Sequence, residues 1–276
     1  MRFLVPIDFS DASAHMLRRV FELNRHFHAR LEVLHLFDIP VLSGEDVEIH
    51  LKNFEAYRRS YEDEMWDFIS SNRGSYRYEM EVYASAGGHY QGIVSFAEKR
   101  RPDLIIVGHK GSGSLRKWVF GSVSRYLLTH PPAPVLSIPE AMNTEGEWHA
   151  GRILYATDLS GMVAEGSLAF LRRFSDRLGA ELIPLHVSVE DEIPAPSEGE
   201  IRAGVESSIG HRLIEIPAPG DDDIWGGIEG YVDAHAVDML AVSPHRHGWL
   251  DRMMLGSETR RLAELSKIPI LSLPGG

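Results

Sequence analysis

The sequence predicts an α/β protein made of two repeated doubly wound domains, each with a five-stranded parallel sheet. Two observations carry this expectation. Apolar strand-like runs alternate with helix-period segments, and the strands are apolar almost throughout, as in parallel sheets covered by helices on both faces. The same blocks then recur in the same order. The run RFLVPIDFS at 2–10 matches RILYATDLS at 152–160, and RLEVLHL at 30–36 matches ELIPLHV at 181–187. DLIIV at 103–107 matches DMLAV at 238–242, and APVLSIP at 133–139 matches IPILSLP at 268–274. An internal duplication is the economical explanation. It sets domains at 1–140 and 151–276, joined by a polar linker at 141–150 that includes Asn143, Thr144, Glu145, Gly146 and Glu147.

In the first half the strand from Phe3 to Pro6 ends at Asp8, and Ser10 is placed to cap a helix. Met16, Val20, Leu23 and Phe27 then fall at i, i+4, i+7 and i+11, one apolar stripe. The strand Leu31 to Phe37 follows, with a long charged helix from about Glu45 to Ser71. Next come a strand near Glu79 to Tyr83, a helix near Tyr90 to Arg100, the strand Leu104 to Val107, a helix from Ser122 and the strand Pro134 to Ile138. In the second half Phe170, Leu171, Phe174 and Leu178 supply the first helix's stripe, and the middle helix is shorter. Ligands are expected outside the carboxyl ends of the strands, at the point where strand order reverses. The last strand of each repeat, Pro134–Ile138 and Pro269–Leu273, is expected at a sheet edge. It should be covered by pairing, within the chain or in a homodimer.

Composition narrows the partners. The chain of 276 residues has no cysteine, which excludes disulfides and thiol catalysis and suits a reducing compartment. Its formal net charge of -12 argues against nucleic acid or an anionic membrane as partner. There is no apolar run of membrane-spanning length, and the amino-terminal segment turns acidic at Asp8, too early for a secretory leader. A cytoplasmic location is expected.

The chemistry is expected just after the fourth strand of the first half. Gly108, Gly111 and Gly113 punctuate a loop that runs through Lys110 and Ser112 to Gly121, Ser122 and Val123, where a helix opens. Gly108 and Gly111 permit close approach of a ligand and positive φ. The helix start offers free N–H groups and the positive end of its dipole to an anion, with Ser122 as cap and phosphate contact. A strand-to-helix crossover with a glycine hinge is the structural alternative. Neither G-x-x-x-x-G-K-[ST] nor G-x-G-x-x-G occurs here: Gly113 is followed by Ser114 and Leu115, and Arg116 stands where the last glycine of the latter belongs.

The spacing Gly108-x2-Gly111-x9-Gly121-Ser122 resembles the phosphate loop of the universal stress protein family, G-x2-G-x9-G-[ST]. The first strand ending in Asp8, the second ending in His35 and Leu36, and the closing strand from Pro134 to Pro139 are similar too. The likeness extends over both halves, as in a tandem member. It implies a Rossmann-like fold and binding of ATP, or of ADP or AMP, with Mg²⁺ as a companion of the nucleotide. It places the base near Pro6, Asp8 and Leu36, and the phosphates on Gly108, Lys110, Gly111, Ser112, Gly113, Gly121, Ser122 and Val123. It further implies a stress-response switch with an unknown protein partner, often dimeric, and slow or absent turnover.

The second half departs from that pattern. Ser243 and Arg246 replace the first two glycines, Pro244 removes a backbone donor, and only Gly256 and Ser257 survive. A degenerate, mainly structural site is expected there, against the alternative that Arg246 and the helix start hold some other anion. Several other residues are open to a bland reading. His245 and His247 lack a third metal ligand, and Asp221 to Asp223 suit a solvated helix start better than a divalent ion. His109 and Lys110 are equally open to phosphate contact and to solvent. His35 and His186 recur as packed imidazoles or as catalytic groups. A binding and switch protein is favoured over a slow nucleotide hydrolase, because no general base or arginine clamp can be assigned. A pyrophosphatase-type synthetase lacks its glycine-rich loop after the first strand.

Overall fold

The computed structural model describes residues 1–38, 47–77, 79–109, 121–140, 142, 148–159, 165–189, 197–220, 223–244 and 267–275. The first half runs β1 (Arg2–Ile7), α1 (Asp11–Phe27), β2 (Arg30–Phe37), α2 (Val47–Asn72), β3 (Met80–Ala86), α3 (His89–Arg100), β4 (Leu104–His109), α4 (Ser122–Thr129) and β5 (Val135–Pro139). The second runs β6 (Arg152–Ala156), α5 (Glu165–Leu178), β7 (Glu181–Ser188), α6 (Glu198–Ile209), β8 (Ile214–Pro217), α7 (Ile224–His235), β9 (Met239–Val242) and β10 (Ile270–Ser272). Helix α1 begins as its sequence demands: the Ser10 hydroxyl accepts from the Ser13 amide, and Met16, Val20, Leu23 and Phe27 are all buried. The middle helix shrinks from 26 residues in α2 to 12 in α6.

The two five-stranded sheets expected from the sequence are fused into one ten-stranded sheet, in the order β3-β2-β1-β4-β5-β10-β9-β6-β7-β8. Each half is parallel throughout, and the halves meet where β5 pairs antiparallel with β10 at Ile270↔Ser137, Leu271↔Leu136 and Ser272↔Val135. Of the two ways to cover the last strands, the chain uses itself. Val135, Leu136, Ile270 and Leu271 are almost wholly buried in this seam. Both strands start one residue later than expected because Pro134 and Pro269 have no N–H; their carbonyls still accept from Ile105 and Leu240 at 2.8 and 3.0 Å. Two further contacts brace the seam. Phe27 of α1 stacks on Phe174 of α5 at 4.9 Å, and the Ser272 hydroxyl donates to the Leu128 carbonyl at the end of α4, at 2.6 Å.

The linker is more than a polar spacer. Trp148 is 1% exposed and packs in the same core as α1 and β6, with the Arg19 guanidinium 5.1 Å from its ring centroid. Among the described residues no helix is long and apolar enough to cross a membrane.

The duplication also fixes a close approach that sequence reading missed. A Cβ on Gly92 of α3 would sit 2.7 Å from Leu36 Cδ1 of β2, and one on Gly227 of α7 would sit 2.8 Å from Val187 Cγ1 of β7. These positions correspond in the two repeats, so glycine at the fourth residue of the helix sets the helix-to-sheet distance in both.

Candidate functional site

Strand order reverses between β1 and β4 in the first half and between β6 and β9 in the second, and the two switch points differ in their paired register. β1 and β4 pair at Phe3↔Leu104 and Leu4↔Ile105 and no further. β6 and β9 stay paired through Ile153↔Met239, Leu154↔Leu240, Tyr155↔Ala241 and Ala156↔Val242. Pro6 stands in β1 where β6 has Ala156. Without an N–H it contributes no ladder donor, and the paired register ends before it.

A cavity of about 480 Å³ lies at the β1–β4 switch point. Pro6, Asp8, Leu36, Gly108, Gly121, Ser122 and Val123, all singled out from the sequence, line it together. Lys110, Gly111, Ser112 and Gly113 lie outside the described residues, as do Arg246, His245, His247, Gly256 and Ser257 of the second loop. The cavity is also lined by Asp38, Gly87, Ile93 and His109, which sequence reading did not assign to it. Asp38 and Gly87 follow the ends of β2 and β3, and the strand-end rule was the available signal for them.

The glycines act differently from expectation. β4 runs on to His109, so Gly108 is in the strand, and its φ is not among the positive ones. A Cβ there would touch Met16 Cβ at 3.5 Å and the Ala12 carbonyl at 3.7 Å, ordinary contacts, so conformational strain does not demand glycine. Gly121 is the N-cap of α4 with φ -56° and ψ 156°, and Ser122 is the first helical residue, not the cap. Among the described residues a Cβ on Gly121 would have no neighbour within 4 Å, beside the helix's free N–H groups. Ser124 fixes that end: its buried hydroxyl donates to the Gly108 carbonyl at 2.7 Å.

Asp8 is held by the turn that follows β1. Its carboxylate accepts from the Ser10 hydroxyl at 2.6 Å, the Ser13 hydroxyl at 2.6 Å and the Ser10 amide at 3.1 Å. Burial works against its charge, but these donors outweigh that penalty and hold its pKa below the usual carboxylate value. The turn requires left-handed backbone at a non-glycine residue, Phe9, with φ 60°; its counterpart Leu159 has φ 56°. Phe9 packs on His35 at 4.4 Å and Phe68 at 5.6 Å, which holds the strained residue in place.

The recurring histidines have one structural job. His35 Nδ1 lies 3.0 Å from the Ile7 carbonyl and His186 Nδ1 lies 3.0 Å from the Thr157 carbonyl, each tying the second strand to the end of the first. His109 is 2% exposed, so the solvent-facing alternative for it is wrong. Its Nδ1 is 2.8 Å from the Ser137 hydroxyl on β5. Asp223, last of the acidic run, caps α7 by accepting from the Gly226 amide at 2.9 Å. Among the described residues no group of three or more His, Asp or Glu is placed to hold a metal ion.

In the second half, Ser243 stands at the Gly108 position and Tyr155 at the Val5 position. The Tyr155 hydroxyl is 3.2 Å from Ser243 Oγ, a side-chain link across β6 and β9. Burial pushes the phenol up to about 12 despite the hydrogen bonds from Ser243 and Thr157, so it stays protonated. The link and the longer ladder join β6 and β9 at a point where the first half has Val5 and Gly108.

Fold and cavity together define a doubly wound α/β protein with a switch-point pocket in its first half. The universal stress protein family model matches residues 1–139, and the chain belongs to that family. A universal stress protein of Methanocaldococcus jannaschii is 22% identical over 137 residues, which are 50% of this chain and 81% of that protein. Among solved structures, a universal stress protein from Archaeoglobus fulgidus superposes with a TM-score of 0.65 at 18% identity, covering 100% of this chain and 96% of its own. A putative universal stress protein from Pseudomonas aeruginosa gives 0.57 at 16% identity, covering 99% and 93%. At such identities these structures show a shared fold over both halves.

Proposed function

We propose that the protein binds one adenine nucleotide, ATP or its di- or monophosphate, in the first-half cavity and acts as a nucleotide-dependent switch in stress response. The observation that carries this reading is the cavity at the β1–β4 switch point, lined by Pro6, Asp8, Leu36, Gly108, Gly121, Ser122 and Val123. Its volume of about 480 Å³ is in the range of small-molecule sites. The apolar side chains of Pro6, Leu36, Ile93 and Val107 suit a base, and the α4 start suits phosphates. Mg²⁺ would arrive with the nucleotide.

Binding is favoured over turnover by the state of Asp8. A general base works best with a pKa near the operating pH, and Asp8 is displaced the other way by the hydroxyls it accepts from. The second half, where Ser243, Pro244 and Arg246 replace the loop's pattern and Tyr155 is linked to Ser243, is assigned a scaffold role. Calorimetric titration with ATP is expected to give about one site per chain. Gly121→Val should abolish binding with the far-ultraviolet circular dichroism unchanged, since its side chain meets no atom of the described residues but fills the phosphate space. Two equal sites, or normal binding by this variant, would refute the reading.

A further inference from the structure

Two carboxylates line the cavity, Asp8 and Asp38, and they differ in what they already hold. Asp8 accepts from Ser10 and Ser13 and is committed to the turn after β1. Asp38 is exposed and takes part in no hydrogen bond or ion pair with the described residues. Its direction follows from strand alternation. Along β2, Val33 and Phe37 pack in the core with α1, while Leu34 and Leu36 pack on the opposite face. Asp38 is the next residue of the Leu34–Leu36 row, and all three line the cavity. The matching position in the second repeat is Val189, so the carboxylate belongs to the first half alone.

Sheet order sets Asp38 apart from the phosphate end. The strands run β2-β1-β4, so two strand spacings, about 10 Å, separate the end of β2 from β4 and the α4 start beyond it. An anion is favoured at the α4 start and repelled by Asp38, so a bound nucleotide turns its phosphates toward α4 and its base toward Leu36 and Asp38. A carboxylate only accepts hydrogen bonds, and the base edge that meets it has to donate. We propose that Asp38 is a specificity-determining residue of the nucleotide site, accepting a hydrogen bond from the exocyclic amine of the base and thereby selecting 6-amino over 6-oxo purines. This rests on the nucleotide reading above and adds to it the group that reads the base. Held in the same pose, a 6-oxo purine turns a carbonyl oxygen toward the carboxylate. Two acceptors then face each other, and neither is satisfied. Leu36 and Ile93 offer apolar area to either base and do not tell them apart.

Inosine triphosphate is the informative probe, because it shares ribose and phosphates with ATP and carries a carbonyl in place of the 6-amine. In calorimetric titrations of the full chain, ATP should bind about tenfold more tightly than inosine triphosphate, the size expected for one hydrogen bond to a charged acceptor. Asp38→Asn keeps the size of the side chain and adds a donor, so it can serve either base, and the preference should disappear. Loss of the negative charge also eases phosphate binding, but equally for both ligands, so the ratio of the two affinities is the readout. Because Asp38 holds nothing within the described fold, the variant's circular dichroism should match that of wild type. Equal or reversed preference in wild type would overturn the proposal, as would an Asp38→Asn protein that keeps the full preference for ATP. If wild type binds neither nucleotide, the nucleotide reading itself falls and this assignment falls with it.

Discussion

The paired glycines offer the sharpest test of how the repeats are packed. Alanine at the fourth position of α3 or α7 would gain about 0.8–1 kcal/mol of helix propensity. Against this stands the new methyl. At Gly227 it would lie 2.8 Å from Val187 Cγ1, 3.2 Å from Cγ2 and 3.6 Å from Cβ. Val187 is branched at Cβ, and 4% exposed, so it has no rotamer into which to retreat. Overpacking of this kind costs about 1–3 kcal/mol, leaving Gly227→Ala between about equal in stability to wild type and about 2 kcal/mol less stable. At Gly92 the same methyl would lie 2.7 Å from Leu36 Cδ1, the tip of a side chain that lines an open cavity. Leu36 can turn into that space, so Gly92→Ala should stay within about 1 kcal/mol of wild-type stability. The displaced Leu36 then occupies nucleotide space, and ATP affinity should fall about tenfold. Urea unfolding and ATP titration of both variants, with Gly92→Ala/Leu36→Ala as a control that restores room, check each step. A Gly227→Ala protein more stable than wild type by about the full helix-propensity gain would refute the reasoning, since contact would then not set the helix-to-sheet distance.

Three other outcomes are expected. Val135→Lys with Ile270→Lys would bury two unpaired charges in the β5–β10 seam, where the native side chains are 0% and 2% exposed. Destabilisation of about 3 kcal/mol or more and exposure of apolar surface should follow, visible in light scattering and dye binding; an unchanged monomer would discount the seam. Because Asp8's pKa is lowered in the fold, its contribution to stability is present above the unfolded carboxylate value and lost as pH falls through the folded one. The stability difference between wild type and Asp8→Asn should therefore begin to shrink below about pH 4 and go on shrinking through the lower folded-state value, and Ser13→Ala should raise the Asp8 pKa in a carboxyl NMR titration. Pro6→Ala, which restores a ladder donor, should extend β1–β4 pairing toward the four-residue register of β6–β9 and weaken ATP binding, with a protected amide at position 6 in hydrogen exchange; an unprotected amide there in the variant would assign the shorter register to another cause.

The sequence by itself determined the repeat, the alternation of strands and helices, and the residues at the strand ends. Apolar periodicity and capping are local properties, which is why α1, with Ser10 at its head and Met16, Val20, Leu23 and Phe27 along one side, was legible without a structure. The resemblance to the family's phosphate-loop pattern likewise brought Pro6, Asp8, Leu36 and Gly121 to one place. Tertiary structure decided what depends on facing partners. The fusion of two sheets into one is a relation between Val135–Pro139 and Ile270–Ser272, more than a hundred residues apart. Gly108 reads as a loop glycine by type but lies in β4, and what approaches it is α1. His109 was balanced between solvent and ligand until β5 placed Ser137 beside it. The unequal registers at the two switch points have the same origin. Pro6 is visible in the sequence, but its effect appears only when β4 stands alongside and finds no N–H to pair with.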